Sequence, residues 1–399
     1  MPYFRPDIGD DDVRCVTEVL RSGWLTTGPV AGKFERAFCE ATGALHAVAV
    51  NSCTNGLHAA LVAAGIEPGD EVLTTPLTFC GTVRAIEEAG ATPVFVDIGD
   101  DLNLDCNLLR RAITPRTRAI LPVHMAGLPC NLSAIREQAR RHSLAVIEDA
   151  AHAFGASWRG EPVGASDFST AVFSFYANKN LTTGEGGMIT TADPEHAARL
   201  RRAISFGLKR STERADSRWQ YEVVERGFKY NLSDVLAAIG LAQLKKAELH
   251  AREREAVAEY YQQALSEVGE IELPAVNRES RHAWHLYIIR LHLDELTVTR
   301  DEFVNLLAER GVGASVHFRP IPMHTWFAHY GPMERWPRTR REFPRLISLP
   351  MYPALTVAER EHVVGAVRAV AAECRKRSFA MATAAAYPVN FSSSSAQRA

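Results

Sequence analysis

Short apolar runs alternate with longer helical segments between residues 45 and 190 of the chain. The apolar runs, which predict strands buried on both faces, lie at 47–50, 71–74, 93–96, 119–123, 144–147 and 171–174. The segments between them favour helices at 54–65, 79–90, 105–113 and 131–142. This alternation predicts an α/β fold with a mainly parallel sheet covered by helices on both faces.

The pattern changes on both sides of this region. Residues 9–21 favour a short amphipathic helix, and 233–265 favour one long helix that begins at Ser233. A smaller α/β portion follows, with predicted strands at 284–291 and 315–318 and helices at 299–310 and 356–373. We therefore expect a large domain at 1–245, a smaller C-terminal domain at 246–375 and a disordered Ala- and Ser-rich tail at 376–399.

Composition excludes several classes of protein. Lys and Arg number 45 and Asp and Glu 47, so the formal net charge of −2 does not indicate nucleic-acid binding. Seven scattered cysteines without a C-x-x-C pair argue against a disulfide framework and a zinc site, and favour reduced thiols. The polar N-terminus does not resemble a signal peptide, and the chain lacks a run of about 18 apolar residues. We expect a cytoplasmic protein without a membrane or nucleic-acid partner.

A lysine follows the last of these apolar runs, in the sequence FSFYANKNLTTGEGGM. Lys179 stands in a loop at the carboxyl end of the predicted strand, where ligands of such sheets bind. A lysine that acts as a Schiff-base nucleophile must be held on such a turn and face a pocket. Gly184, Gly186 and Gly187 permit a close approach to a ligand. In isolation, a solvated loop lysine is the alternative interpretation.

An acidic pair ends the neighbouring strand, in VIEDAAHAFGA. Asp149 could supply the carboxylate that pyridoxal phosphate (PLP) needs at its pyridine nitrogen, where it keeps that nitrogen protonated. A turn or cap residue is the plainer interpretation of Asp149. A metal site of Glu148, Asp149 and His152 is a weaker alternative, because no further ligand residue stands nearby at suitable spacing.

Two other strand ends carry candidate cofactor contacts. Ser52, Cys53 and Thr54 stand where a helix begins, so its free N–H groups could bind a phosphate, although simple capping is the alternative. Phe79 could stack on a flat ring or pack in the core. Neither a Walker loop nor a G-x-G-x-x-G after a strand is present, which argues against a P-loop or nicotinamide enzyme.

Taken together, these motifs resemble one family. The segments SGWLTTGP, EDAAHAFGA, FSFYANKNLTTGEGGM, KYNLSDVLAAIGLAQL and ISLPMYP are similar to the DegT/DnrJ/EryC1/StrS family of sugar aminotransferases, from about residue 3 to residue 373. Within it, HAWHLYIIRL and SVHFRPIP are most similar to the aminotransferase that makes UDP-4-amino-4-deoxy-L-arabinose. The resemblance implies fold type I of the PLP-dependent transferases, with a large PLP domain, a smaller C-terminal domain and a homodimer that shares its active sites.

The resemblance also implies roles for individual residues. Lys179 matches the lysine that binds the cofactor covalently, and Asp149 matches the acid at the pyridine nitrogen. The other matched cofactor positions are His152 at the ring hydroxyl, Phe79 on the ring, Cys53, Thr54 and Ser174 at the phosphate, and Asn231 at the phosphate of the neighbouring subunit. Trp24, Thr26 and His317 match positions that line the sugar pocket. The family implies no metal.

Lysine at position 179 implies transamination, because relatives with histidine there are dehydratases. The implied substrates are L-glutamate and a nucleotide-linked keto-sugar, with a UDP-4-keto-sugar favoured, in cell-surface polysaccharide or lipopolysaccharide biosynthesis. The alternatives are a 3-keto sugar or a dTDP- or GDP-linked sugar in antibiotic or O-antigen synthesis. Another PLP enzyme that acts on an amino acid and a non-catalytic PLP-binding regulator also remain open.

Overall fold

The computed structural model describes residues 1–210 and 221–376. The helices of these residues are α1 (Asp10–Ser22), α2 (Pro29–Thr42), α3 (Cys53–Ala63), α4 (Cys80–Glu88), α5 (Cys106–Ala112), α6 (Leu132–His142), α7 (Pro194–Ala203), α8 (Asp234–Leu244), α9 (Ala247–Leu265), α10 (Arg300–Glu309), α11 (Pro337–Glu342) and α12 (Val357–Glu373). Short 3-10 helices lie at Met125–Gly127, Ile321–Met323, Thr325–Tyr330, Met333–Arg335 and Phe343–Arg345. The tail predicted at 376–399 lies outside the described residues from 377 onward.

The strands belong to a large sheet and three small ones. They are β1 (His46–Val50), β2 (Glu71–Thr74), β3 (Thr92–Phe95), β4 (Thr117–Ile120), β5 (Ala145–Asp149), β6 (Ser157–Trp158), β7 (Glu161–Pro162), β8 (Thr170–Ser174), β9 (Gly187–Thr191), β10 (Leu208–Arg210), β11 (Tyr221–Val223), β12 (Ile271–Glu272), β13 (Ser280–Arg281), β14 (Tyr287–Leu291) and β15 (Leu346–Leu349).

The large sheet has the strand order β1-β9-β8-β5-β4-β2-β3. The pairs from β8 to β3 are parallel, and only β9 runs antiparallel to both of its neighbours. Apolar clusters lie against the sheet, one between the strands and α3 and another under α2 and α8. The predicted α/β fold with a mainly parallel sheet is confirmed, because short apolar runs buried on both faces need crossover helices to cover them.

The C-terminal part has its own sheet and core. Strands β12, β14 and β15 pair antiparallel, and α9, α10 and α12 pack against them. The cluster at this packing includes the fully buried Tyr261, Tyr287, Phe303 and Val367. The division into domains at 1–245 and 246–375 stays a prediction.

Two of the predicted elements are wrong in detail. The helix predicted at 233–265 is interrupted between α8 and α9, and the side chains of Gln243 and Lys246 at this break bind Asp12 of α1. No Gly or Pro stands at the break to indicate it in the sequence. The strand predicted at 315–318 is reduced to one bridge between Ser315 and Ser348.

The sequence patterns also missed several elements. Helices α2 and α7 and the antiparallel strand β9 were not predicted, and β14 begins three residues later than the predicted strand. Residues 284–286 leave the strand because Trp284 has a positive φ of 47° and the N–H groups of His285 and Leu286 both bond to Ala126. Within the described residues, no helix combines the length and apolar character needed to cross a bilayer.

Candidate active site

A cavity lies where several strands of the large sheet end. Its walls come from the loops after β1, β2, β4, β5 and β8, together with two segments of the C-terminal part. Carboxyl ends of parallel strands share one edge, which explains why residues distant in sequence meet there. The lining residues are Ser52, Cys53, Thr54, Leu57, Thr78, Phe79, Gly81, Thr82, Val123, Asp149, Ala151, His152, Ser174, Tyr176, Asn178, Lys179, Glu185, Gly186, His285, His317 and Phe318.

Lys179 lies in the turn after β8 and lines this cavity. Its backbone N–H donates to the carbonyl of Tyr176 at 2.9 Å, which fixes the turn. Burial lowers the pKa of the Lys179 amine to about 8, against the opposing effects of Cys53 and Asp149. A substantial fraction of the amine is therefore neutral near physiological pH, as a nucleophile or general base requires.

Asp149, the last residue of β5, is the buried carboxylate of the cavity. Its Oδ2 atom accepts a 2.7 Å hydrogen bond from the Thr82 hydroxyl, and Oδ1 accepts one of 3.1 Å from the N–H of Ala151. Burial raises the pKa of Asp149, while these two hydrogen bonds and the charge of Lys179 counteract that rise. A positively charged ring nitrogen placed here would offset the remaining cost of burying the carboxylate.

The N-terminus of α3 forms another wall, at Cys53 and Thr54. Ser52 caps the helix by accepting from the N–H of Asn55, so the capping expected of this segment is present. Gly187 of β9 passes so close that a Cβ there would lie 3.0 Å from the Cys53 nitrogen and 2.7 Å from the Phe173 oxygen. Glycine at this position lets β9 pack directly against the first turn of the helix, whose free N–H groups could bind a phosphate.

Three imidazoles line the side of the cavity formed by the loop after β5 and the C-terminal part. The rings of His152 and His285 have centroids 4.4 Å apart, and Nδ1 of His317 lies 2.9 Å from the Ser348 hydroxyl. Burial lowers the pKa of His317 to about 4 and lowers the pKa of His152 and His285 well below the ordinary value. All three rings are therefore neutral at neutral pH.

Glu148 does not join Asp149 and His152 in the cavity. Successive residues of a strand point to opposite faces, and the Glu148 carboxylate accepts from Ser169 and contacts Nε2 of His124 at 2.7 Å. The backbone N–H of Cys130 donates to Nδ1 of His124, so the Nε2 atom carries the proton and donates to Glu148. This geometry removes the basis for the metal alternative of Glu148, Asp149 and His152.

The cavity brings together the predicted Lys179, Asp149, Cys53, Thr54, Phe79, His152, Ser174 and His317. Phe79 is 57% exposed, so its ring faces the cavity and is not a core residue. Trp24, Thr26 and Asn231 are not brought to it. Trp24 and Thr26 are exposed on the loop before α2, and the Asn231 side chain bonds to Lys229 and Thr27.

The sequence patterns missed other residues of the cavity. Thr82, Tyr176, Asn178 and His285 line it, and the sequence patterns assigned a role to none of them. The last three lie inside the segments FSFYANKNLTTGEGGM and HAWHLYIIRL. Thr82 could have been found from its position one turn into the helix after Phe79. His285 lies in the segment HAWHLYIIRL that carries part of the family resemblance, but no residue pattern around it indicates that its ring reaches the cavity.

These residues fit pyridoxal phosphate. Nδ1 of His152 and Oδ1 of Asn178 are buried without a hydrogen-bond partner among the described residues, which leaves polar atoms for a ligand. The N-terminus of α3 suits the phosphate, Asp149 suits the ring nitrogen and Lys179 suits the aldehyde.

Comparisons with known proteins identify the family of this chain. The sequence profile of the DegT/DnrJ/EryC1/StrS aminotransferase family matches residues 6–368. The spore coat polysaccharide biosynthesis protein SpsC of Bacillus subtilis (strain 168) is 43% identical, over 92% of this chain and 96% of SpsC.

Solved structures are similar over nearly the whole chain. Spr1654 of Streptococcus pneumoniae in its PLP form superimposes with a TM-score of 0.86 and 30% identity, over 94% of this chain and 99% of that one. PseC of Helicobacter pylori, an aminotransferase of pseudaminic acid biosynthesis, has a TM-score of 0.85 and 30% identity over 93% and 99%. The chain belongs to the DegT/DnrJ/EryC1/StrS aminotransferase family and is a PLP-dependent sugar aminotransferase.

Proposed function

We propose that this aminotransferase moves an amino group from L-glutamate to the keto group of a nucleotide-linked sugar, with a UDP-4-keto-sugar as the favoured acceptor. The observation that carries the proposal is that Lys179 and Asp149 line one cavity. Burial lowers the pKa of the Lys179 amine and raises the pKa of the Asp149 carboxyl, which in both cases favours the neutral form. Such a pair suits proton transfer at carbon beside a cationic ring.

Lys179 is the residue that moves the proton. Its Nζ atom, partly neutral near pH 8, would take the proton from the α-carbon of the amino donor and deliver it to the reacting carbon of the cofactor, and would run the same transfer in reverse with the sugar. Asp149 holds the proton on the ring nitrogen through both half-reactions. When bound, PLP supplies the electron sink that stabilises the carbanion.

The remaining contacts hold the cofactor and the sugar. In this proposal the N–H groups at Cys53 and Thr54, together with the Ser174 hydroxyl, bind the phosphate. Phe79 covers the ring, and His152 meets its hydroxyl through the unpartnered Nδ1 atom.

We infer that the enzyme works as a cytoplasmic homodimer. Trp24 and the neighbouring Leu25 are more than half exposed, and Asn231 lies on the same surface because it bonds to Thr27. A second subunit that covers these apolar side chains would bring Asn231 to its neighbour's phosphate and Trp24 and Thr26 to its neighbour's sugar.

The acceptor and the pathway follow from similarity. The segments around His285 and His317 favour a UDP-4-keto-sugar, and the role of SpsC in polysaccharide synthesis supports a cell-surface polysaccharide or lipopolysaccharide pathway. A 3-keto or a dTDP- or GDP-linked acceptor, in antibiotic or O-antigen synthesis, is the second candidate. A purely regulatory role is disfavoured, because Lys179 and Asp149 line the same cavity in a chain whose family and structural neighbours are sugar aminotransferases.

The decisive experiment loads the enzyme with pyridoxamine phosphate and offers a panel of nucleotide keto-sugars. We expect a UDP-4-keto-sugar to convert the cofactor back to PLP, with the amino sugar identified by mass spectrometry. L-Glutamate should then regenerate the amine form and release 2-oxoglutarate. The proposal would be refuted if only amino-acid-derived keto acids converted the cofactor back to PLP and no nucleotide sugar did so.

A further inference from the structure

A short segment of the C-terminal part passes over the cavity and holds His285 there. The N–H groups of Ala283 and His285 donate to the carbonyls of Gly127 and Ala126, at 2.9 and 3.0 Å. A Cβ at Gly127, whose φ is 95°, would lie 2.7 Å from the His152 carbonyl oxygen and 3.0 Å from the Cβ of Ala283. The close packing of these backbones fixes the His285 ring beside that of His152.

Asn180, the residue after Lys179, determines which nitrogen of His285 carries the proton. Its Nδ2 atom donates to the carbonyl oxygen of Ala283 at 2.7 Å, and a carbonyl can only accept. The amide is therefore oriented with Oδ1 toward Nδ1 of His285, 3.3 Å away. Since Oδ1 can only accept, Nδ1 must donate, and the proton of the neutral ring is on Nδ1.

The other ring nitrogen is left as a free acceptor. Nε2 of His285 has no hydrogen-bond partner among residues 1–210 and 221–376, and the residue lines the cavity. The ring stays neutral, because burial lowers the pKa of His285 and the charge of Lys179 lowers it further. An unprotonated ring nitrogen accepts a hydrogen bond from a hydroxyl or N–H group. It cannot donate one to a carboxylate.

We propose that Nε2 of His285 accepts a hydrogen bond from a hydroxyl group of the sugar substrate, which makes His285 a residue that determines acceptor specificity. The inference rests on the proposed function and goes beyond it, because it names the substrate group and the atom that recognises it. Buried polar groups that lose their partner discriminate strongly, so a sugar without this hydroxyl should be rejected.

Equilibrium binding to the PLP-loaded enzyme tests this without turnover. Calorimetry would give the dissociation constants of UDP-glucose and its 2-, 3-, 4- and 6-deoxy analogues for the wild type, His285→Asn and His285→Gln. Asparagine keeps an amide near Nδ1 and removes the acceptor at Nε2, whereas glutamine places an amide near Nε2. His282→Asn is the matched control, because His282 is a neighbouring histidine outside the cavity lining.

We expect His285→Asn to weaken UDP-glucose binding about tenfold, with part of the loss restored in His285→Gln and no change in His282→Asn. One deoxy analogue should bind the wild type about tenfold more weakly than UDP-glucose, and that difference should vanish in His285→Asn. Cofactor absorbance should be unchanged, which shows an intact Lys179 loop.

Two results would overturn the inference. The same deoxy penalty in wild type and His285→Asn would show that the ring does not contact a hydroxyl, as would unchanged binding of UDP-glucose to His285→Asn. With either result, a wild type that still aminates a nucleotide keto-sugar would leave the proposed function standing, and only the inference about His285 would fail. A wild type that holds PLP but neither binds a probe nor aminates any nucleotide sugar refutes the proposed function together with the inference.

Discussion

Thr82 donates a 2.7 Å hydrogen bond to Oδ2 of Asp149, and its own oxygen lies 2.8 Å from the hydroxyl of Thr78. Because a carboxylate only accepts, Thr82 must donate to it and accept from Thr78. The two hydroxyls therefore form a chain that stabilises the ionised form of Asp149. Without it, burial alone would raise the pKa of this carboxylate further.

Replacing Thr82 by valine should lower kcat/KM roughly tenfold, because Asp149 loses a hydrogen bond that favours its charged form. The acid limb of the pH profile should move to higher pH, since a raised carboxyl pKa requires a higher pH for ionisation. Thr82→Ser, which keeps the hydroxyl, is the control. An unchanged acid limb of the pH profile in Thr82→Val would show that Thr82 does not lower the pKa of Asp149.

Lys179→Ala should reduce turnover by a factor of roughly 10²–10⁴ or more and should abolish the absorbance of the covalently bound cofactor, because in the proposed mechanism the amine is both the attachment point and the base. Spectra and a coupled assay would measure both effects. Lys33→Ala, a change at an exposed lysine of α2, should leave both unchanged. Retained absorbance in Lys179→Ala would contradict the role given to this residue.

The cofactor-free protein should become more stable relative to Lys179→Met as the pH rises. The Lys179 amine has a folded pKa of about 8 and an ordinary value of 10.5, so the unfolded chain binds more protons between these limits. The stability that wild type lacks at pH 7, at most roughly 3 kcal/mol, should be mostly recovered by about pH 10.

Denaturant unfolding of both cofactor-free proteins at several pH values measures this difference. Lys179→Met should be the more stable protein at pH 7, and the gap should close with rising pH. A gap that is constant from pH 7 to 10 would mean that the amine has an unperturbed pKa.

Gly187→Ala should weaken PLP binding and destabilise the protein by about 1–3 kcal/mol. The added Cβ would lie 2.7 Å from the Phe173 oxygen and 3.0 Å from the Cys53 nitrogen, so β9 and the N-terminus of α3 would have to separate. Gly365→Ala is the control, because a Cβ there meets no atom within 4 Å. Equal PLP affinity in wild type and Gly187→Ala would argue against a phosphate at this helix end.

Much of the fold could be predicted because its elements depend on local patterns. The strands around Asp149 and Ser174 are short apolar runs, and the structure has them within a few residues of the predicted positions. The break at Lys246 could not be predicted, since no local signal marks it and the Lys246 side chain binds Asp12 from the other end of the chain.

The sequence by itself determined that the candidate residues at the strand ends meet at one edge of the sheet. Lys179 and Asp149 follow apolar strands, and parallel strands that share one edge bring such residues together whatever the details of packing. Local chemistry also indicated the α3 N-terminus, where a cap residue precedes the helix.

Only the tertiary structure decided which atoms of these residues are free and which are engaged. It turned Glu148 away from the cavity toward His124, and it oriented His285 through Asn180, which is 105 positions earlier in the chain. Such hydrogen bonds join side chains from separate elements. They depend on how those elements pack, and no local pattern of apolar and polar residues encodes that.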